Sequence, residues 1–151
     1  MRVWRLAPSP YPAFDGEGAR RAGGRWNSAG IPVVYSSEHL SLAVVELLVH
    51  VEVAALPDNL IAYAVDLPDA AVERLDPALL PTGWSDDPEQ GTTRTLGDGW
   101  LREARSLALA VPSAVIPEEL NVLLNPRHPA AETALVATFT RPFTFDPRIG
   151  R

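Results

Sequence analysis

The 151-residue chain contains no cysteine and no lysine. Without cysteine, neither disulfides nor thiolate metal sites are available. Without lysine, the GxxxxGK[ST] phosphate loop is excluded, and all 13 basic side chains are arginines. Any anion bound here meets planar, bidentate guanidinium groups. Positive charge is scarce against 19 acidic residues, and the net charge of −6 argues against direct nucleic-acid binding, which needs basic surface. No apolar run approaches the roughly 18 residues of a membrane span; even LSLAVVELLVHV carries a glutamate and a histidine. The opening MRVWRLAPSP has no apolar segment of the secretory kind, so a cytoplasmic protein is expected. Repeats and low-complexity linkers are absent, which predicts one domain over residues 1–151. No nearby carboxylate pair suggests a two-acid glycosidase. Ser113 lacks the G-x-S-x-G context of a nucleophile elbow.

What remains is an α+β pattern. VWRL opens as a strand, and PSPYPAFDGEGARRAGG reads as a long Pro- and Gly-rich loop. IPVVYS is β-branched and reads as a buried strand leading into a helix. Ser36 or Ser37 is placed to cap that helix, with Glu38 in its first turn. Leu40, Ala43, Val44, Leu47, Leu48 and Val51 line one helical face, while Leu42, Val45 and Val49 fall nearly opposite. The spacing predicts a helix buried on two sides, with His39, Glu46 and His50 on the narrow stripe between. NLIAYAVDLP alternates like a strand, PTGWSDDPEQGTTRTLGD reads as a polar loop, and GWLREARSLALAV as a short helix. VPSAVIP reads as a strand containing Ser113, and NVLLNPRHP as a strand closed by an Asn-Pro turn. TALVATFTRPFTFDP supplies one or two closing strands.

Several residues stand out chemically. In AGGRWNSAG, glycines let the backbone approach a ligand and Arg25 can clamp a phosphate or carboxylate. The ordinary alternative is a turn with a solvated Arg25 and a Trp26 packed on the core. Tyr35 ends a strand beside the helix cap; a strand tyrosine is commonly a core residue with its hydroxyl satisfied. Glu46, a lone carboxylate in an apolar helix, costs free energy unless it is paired or functional. Its simplest partner is His50, four residues on. A metal site from His39, Glu46 and His50 matches no zinc spacing, and no metal is expected. His128 and Asn125 read as turn residues, without an assigned role.

The order of these segments carries more than any one of them. Arg in GGRWN, Tyr in VVYSS and Glu in LAVVELLVH, followed by GDGWL, VPSAV and NVLLNPRHP, resembles the RES domain family from Trp4 to about Phe145. The Arg, Glu and Ser that name the family correspond to Arg25, Glu46 and Ser113. The resemblance implies an ADP-ribosyltransferase-like fold, a split β-sheet core with flanking helices around a cleft that holds NAD. It also implies a bacterial toxin of a toxin–antitoxin pair that cleaves the nicotinamide–ribose bond as a glycohydrolase or phosphorylase. An Xre-type helix-turn-helix antitoxin would block the cleft. NAD would be the substrate, with water or inorganic phosphate as acceptor.

On that reading Glu46 binds the nicotinamide ribose and stabilises developing positive charge, and Tyr35 packs on the nicotinamide ring. Arg25 binds pyrophosphate or ribose, Arg5 on the first strand is a second anion clamp, and Ser113 orients Glu46 or the ribose. Two alternatives stand beside it: a transferase modifying a protein, and an inactive binding module of the same fold. Transferases of this fold often carry a polar residue two positions before the glutamate. Here that residue is Val44, which favours NAD destruction. The ALVATFTRPFTF and VEVAAL segments are candidate homodimer surfaces.

Overall fold

The computed structural model describes residues 1–87 and 91–150. Among these residues seven strands form one sheet: β1 (Arg2–Pro8), β2 (Val34–Ser37), β3 (Leu60–Asp66), β4 (Val72–Arg74), β5 (Ala108–Pro112), β6 (Leu120–Leu124) and β7 (Phe139–Pro142). The sheet order is β4-β5-β6-β2-β1-β3-β7. Only β4–β5 is parallel; the other neighbours are antiparallel. Among the described residues four α-helices flank it: α1 (Glu17–Ala22), α2 (Leu40–Leu48), α3 (Thr92–Glu103) and α4 (Ala131–Ala134). This is the α+β architecture expected from the element pattern.

The period of two along the central strands builds two cores from single apolar runs. Ala108, Ala110, Val122 and Leu124 face one way, with Val3, Val34 and Val65. Leu109, Val111 and Leu123 face the other, with Val33, Trp26, Trp100 and Leu101. The sheet thins at its middle, where β1 and β2 share one register position, Trp4 opposite Ser37. β1 pairs with β3 along its whole length, and β2 pairs with β6 over four positions. The split lies at that narrow join.

Five local expectations are corrected. The supposed loop before Gly23 contains α1, where Glu17 accepts from Arg20 at 2.6 and 2.7 Å and from Arg21 at 3.0 Å. These bonds pull the Glu17 carboxyl down to about 2. Such i,i+3 and i,i+4 pairs support a helix that Pro/Gly content conceals. Of the supposed loop PTGWSDDPEQGTTRTLGD, residues 88–90 lie outside the described residues, and the end from Thr92 on similarly belongs to α3. Its buried side includes Thr93 and Asp98, so hydropathy hid it; ALAV beyond it is β5 rather than helix.

Neither Ser36 nor Ser37 caps α2, because both hydroxyls are used across the sheet, on Val122 O at 2.6 Å and Asn121 Oδ1 at 2.8 Å. Glu38 accepts from Leu120 N at 2.7 Å. Finally, α2 is not buried on two sides: Leu42 alone among its residues is fully buried, and Val49 is 53% exposed. No helix among the described residues is long and apolar enough to cross a membrane.

Candidate active site

The glycine loop is pinned from both sides. On one side, the α3 backbone approaches so closely that a Cβ on Gly97 would lie 1.8 Å from the Trp26 carbonyl oxygen. One residue on, the Asp98 carboxylate accepts from Ser28 N at 2.8 Å and Ser28 Oγ at 2.5 Å. Thr93 Oγ1 donates to Arg25 O at 2.7 Å. The polar residues of α3 therefore dock the backbone of residues 25–28, which explains why GDG and GGRWN belong together. Trp26 is buried in the second core and tilts against Trp84, 6.4 Å between centroids.

On the other side, Tyr35 rises from β2 into the loop. Its hydroxyl accepts from Trp26 N at 3.1 Å and donates to Asn27 Oδ1 at 2.7 Å. Asn27, fully buried, donates from Nδ2 to Ala19 O and Ile31 O, each at 2.9 Å. A Cβ on Gly24 would stand 2.6 Å from the Tyr35 hydroxyl, so glycine there is a packing requirement. The Tyr35→Phe variant leaves the Trp26 amide and the Asn27 carbonyl short of a partner. That costs about 1–3 kcal/mol, or roughly 2–12 °C in Tm for a domain of this size; a thermal melt reads it directly.

A cavity of about 670 Å³ opens beside this loop, and Arg5, Arg25, Tyr35, Glu46 and Asn121 are among the residues that line it. That volume lies within the range of small-molecule and cofactor sites. Arg25 reaches across to the loop after Pro81 and donates to Trp84 O at 2.9 Å and Asp86 O at 3.1 Å. Its guanidinium ties two loops together at the cavity wall, with two of its five N–H donors used in these bonds. Arg5 sits at the split. One of its terminal nitrogens donates to Tyr35 O at 2.8 Å, and its buried Nε has no hydrogen-bond partner among the described residues. Burial lowers its pKa, with Asp15 opposing, yet an arginine stays charged. A partly buried cation with spare donors on a cavity wall suits an anion.

Glu46 projects from α2 into the same cavity. Its Oε1 accepts from Ser113 Oγ at 2.7 Å and from Asn121 Nδ2 at 2.5 Å. The two donors come from outside α2, so the simple pairing with His50 is not what holds it. Ser113 follows β5 rather than lying within it. Its Oγ also accepts from Val115 N at 3.1 Å and Ile116 N at 3.0 Å. Ser113 is fully buried and reaches Glu46 from behind the cavity, so it is a positioning residue. Asn121 was not singled out by sequence. Its partner relation to Glu46 spans 75 positions and no local pattern signals it.

Outside the cavity wall, Asn125 donates to Leu101 O at 3.1 Å and accepts from Arg127 N at 3.0 Å. His128 Nδ1 accepts from Ala130 N at 3.1 Å; both residues shape the turn. His39 lies 3.5 Å from Glu119, while His50 lines the cavity. The described residues contain no cluster of three His, Asp or Glu suited to a metal.

The model of the RES domain matches residues 2–146. The chain belongs to the RES domain family. The toxin Res of Pseudomonas putida is 41% identical to this RES chain over 151 residues, covering 99% of each. The Prs ADP-ribosylating toxin of Sphingobium sp. is 37% identical over 155 residues, covering 98% of the RES chain and 96% of its own length. Among solved structures, a chain of the M. tuberculosis MbcT–MbcA toxin–antitoxin complex superposes with a TM-score of 0.75 at 20% identity. That match covers 95% of the RES chain and 84% of the other, which establishes the shared fold.

Proposed function

We propose that this RES-family chain is the toxin of a toxin–antitoxin pair and destroys NAD by breaking its nicotinamide–ribose bond. The observation that carries this reading is Glu46, a carboxylate fixed by Ser113 and Asn121 on a cavity that also presents Arg5, Arg25 and Tyr35. Nicotinamide leaves a cationic ring as a neutral molecule, so no general acid is needed and one carboxylate suffices. The positive charge moves onto the ribose, where Glu46 stabilises it; preorganised charge of this kind is the strongest device available to such a site. Arg5 binds the pyrophosphate through its unused donors, and the Tyr35 ring packs on the nicotinamide while its hydroxyl stays in the loop. Arg25 acts by holding the 84–86 backbone against the ligand. Ser113 acts through Glu46. No metal enters the scheme, and the acceptor is water or inorganic phosphate.

The antitoxin partner is supported by the fold shared with a chain of a toxin–antitoxin complex; an Xre-type protein that covers the cavity is the partner proposed. A second reading, ADP-ribosylation of a protein, is favoured by the name of the Sphingobium relative. It uses the same NAD site and differs only in the acceptor.

Proton NMR of NAD mixed with the purified chain, with and without inorganic phosphate, separates these readings. Free nicotinamide with ADP-ribose marks hydrolysis, and with a phosphorylated ADP-ribose it marks phosphorolysis. Nicotinamide released only when a bacterial extract is added, with ADP-ribose carried on protein, establishes the transferase. No release in any arm sinks both enzymatic readings.

A further inference from the structure

Ser37 and Asn121 are register partners on the antiparallel pair β2–β6, so their side chains leave the sheet on one face, the face of Tyr35. Ser37 Oγ donates to Asn121 Oδ1 at 2.8 Å, and Asn121 Nδ2 donates to Glu46 Oε1 at 2.5 Å. Each end of the amide is thereby assigned. An ionised carboxylate can only accept, so the NH₂ must face Glu46; a hydroxyl that donates to the carbonyl keeps it there. Ser113 supplies the second donor to the same oxygen. With both bonds ending on Oε1, Oε2 makes no hydrogen bond among the described residues and is the oxygen left for a ligand. Ser37 is buried, and both it and Asn121 belong to the cavity wall.

We infer that Asn121, oriented by Ser37, is a positioning residue for Glu46. It aims Oε2 into the cavity and spends Oε1 on the scaffold. The inference rests on the reading of Glu46 as the residue that stabilises charge during NAD cleavage. Two donors from two different segments, β6 and the turn after β5, fix a side chain whose own helix is only partly buried. A single donor would leave the carboxylate free to rotate about its last bond.

The test is the order of activities among three variants, with NAD as substrate and nicotinamide release as readout. Asn121→Ala removes one donor to a charged group and lowers kcat about 10- to 100-fold, with KM for NAD within about 3-fold. Asn121→Asp keeps the size and shape but sets an acceptor against an acceptor, so it falls below Asn121→Ala. Ser37→Ala leaves the amide in place without its orienting hydroxyl and loses about 2- to 10-fold. A thermal melt qualifies each variant, and Ser37→Ala carries the test if Asn121→Asp does not fold. If packing were the whole role, the isosteric Asn121→Asp would be the most active of the Asn121 pair. That order overturns the inference, as does a Ser37→Ala variant with unchanged kcat. A wild-type chain that leaves NAD intact overturns the reading of Glu46 together with this one, whereas active wild type with equally active Asn121→Asp overturns this one alone.

Discussion

Glu46→Gln is expected to lower kcat for nicotinamide release by about 10²–10³, with little change in KM or Tm. Glutamine keeps the length and an Oε1 able to accept from Ser113 and Asn121, so the side chain stays in place and only the charge is lost. Magnitudes decide which loss dominates. A neutral hydrogen bond contributes about 0.5–1.5 kcal/mol net. A unit negative charge about 4 Å from a unit positive charge, at an effective dielectric of about 20, contributes about 4 kcal/mol, which corresponds to roughly 10³ in rate. The developing charge is only partial and the site is open on one side, so the lower part of that range is the natural expectation. Steady-state kinetics beside a thermal melt check it. A Gln variant within about 3-fold of wild type would remove Glu46 from the chemistry, and one with raised KM and unchanged kcat would make it a binding residue only.

Gly97→Ala and Gly99→Ala are expected to move stability in opposite directions, although they flank the same aspartate on the same helix. The Cβ added at Gly97 would lie 1.8 Å from Trp26 O and 2.7 Å from Trp26 C, both backbone atoms that no rotamer change can withdraw. Helix α3 must retreat, and in doing so it loosens the Thr93 bond to Arg25 O and the Asp98 bonds to Ser28. Overpacking of this severity costs at least about 3 kcal/mol, or about 6–12 °C in Tm. At Gly99 nothing lies within 4 Å of an added Cβ, and the position is inside a helix. There alanine lowers the entropy of the unfolded chain and stabilises by about 0.4–1 kcal/mol, roughly 1–4 °C. Melting curves of the two variants suffice. Equal shifts of either sign would mean that α3 does not press on the Trp26 carbonyl.

The sequence by itself determined the elements whose signal is local. The alternating run NLIAYAVD becomes β3, because alternation is visible wherever a sheet has two faces, and the apolar run NVLL before the Asn-Pro turn becomes most of β6. The apolar helix after VVYSS, the anomaly of a lone Glu46 within it, and the glycines beside Arg25 were likewise legible. A lone carboxylate among apolar neighbours and a bulky aromatic in a glycine loop are conspicuous. The spaced order of motifs further identified the RES family, which no single motif could do.

Tertiary structure decided what depends on partners far along the chain. The first half of α3 was hidden because its buried residues there are Thr93, Gly97 and Asp98, whose polar groups find their partners on the loop about 70 positions earlier. Arg25 reads as a free cation until Trp84 O and Asp86 O are beside it. Glu46 has a local candidate partner in His50, yet Ser113 and Asn121 take it, from 67 and 75 positions away. Local sequence reports which side chains must find a partner, because burial of a polar group is costly in any fold. Which partner it finds is set by how β2, β5 and β6 come together, and only the assembled sheet holds that distance.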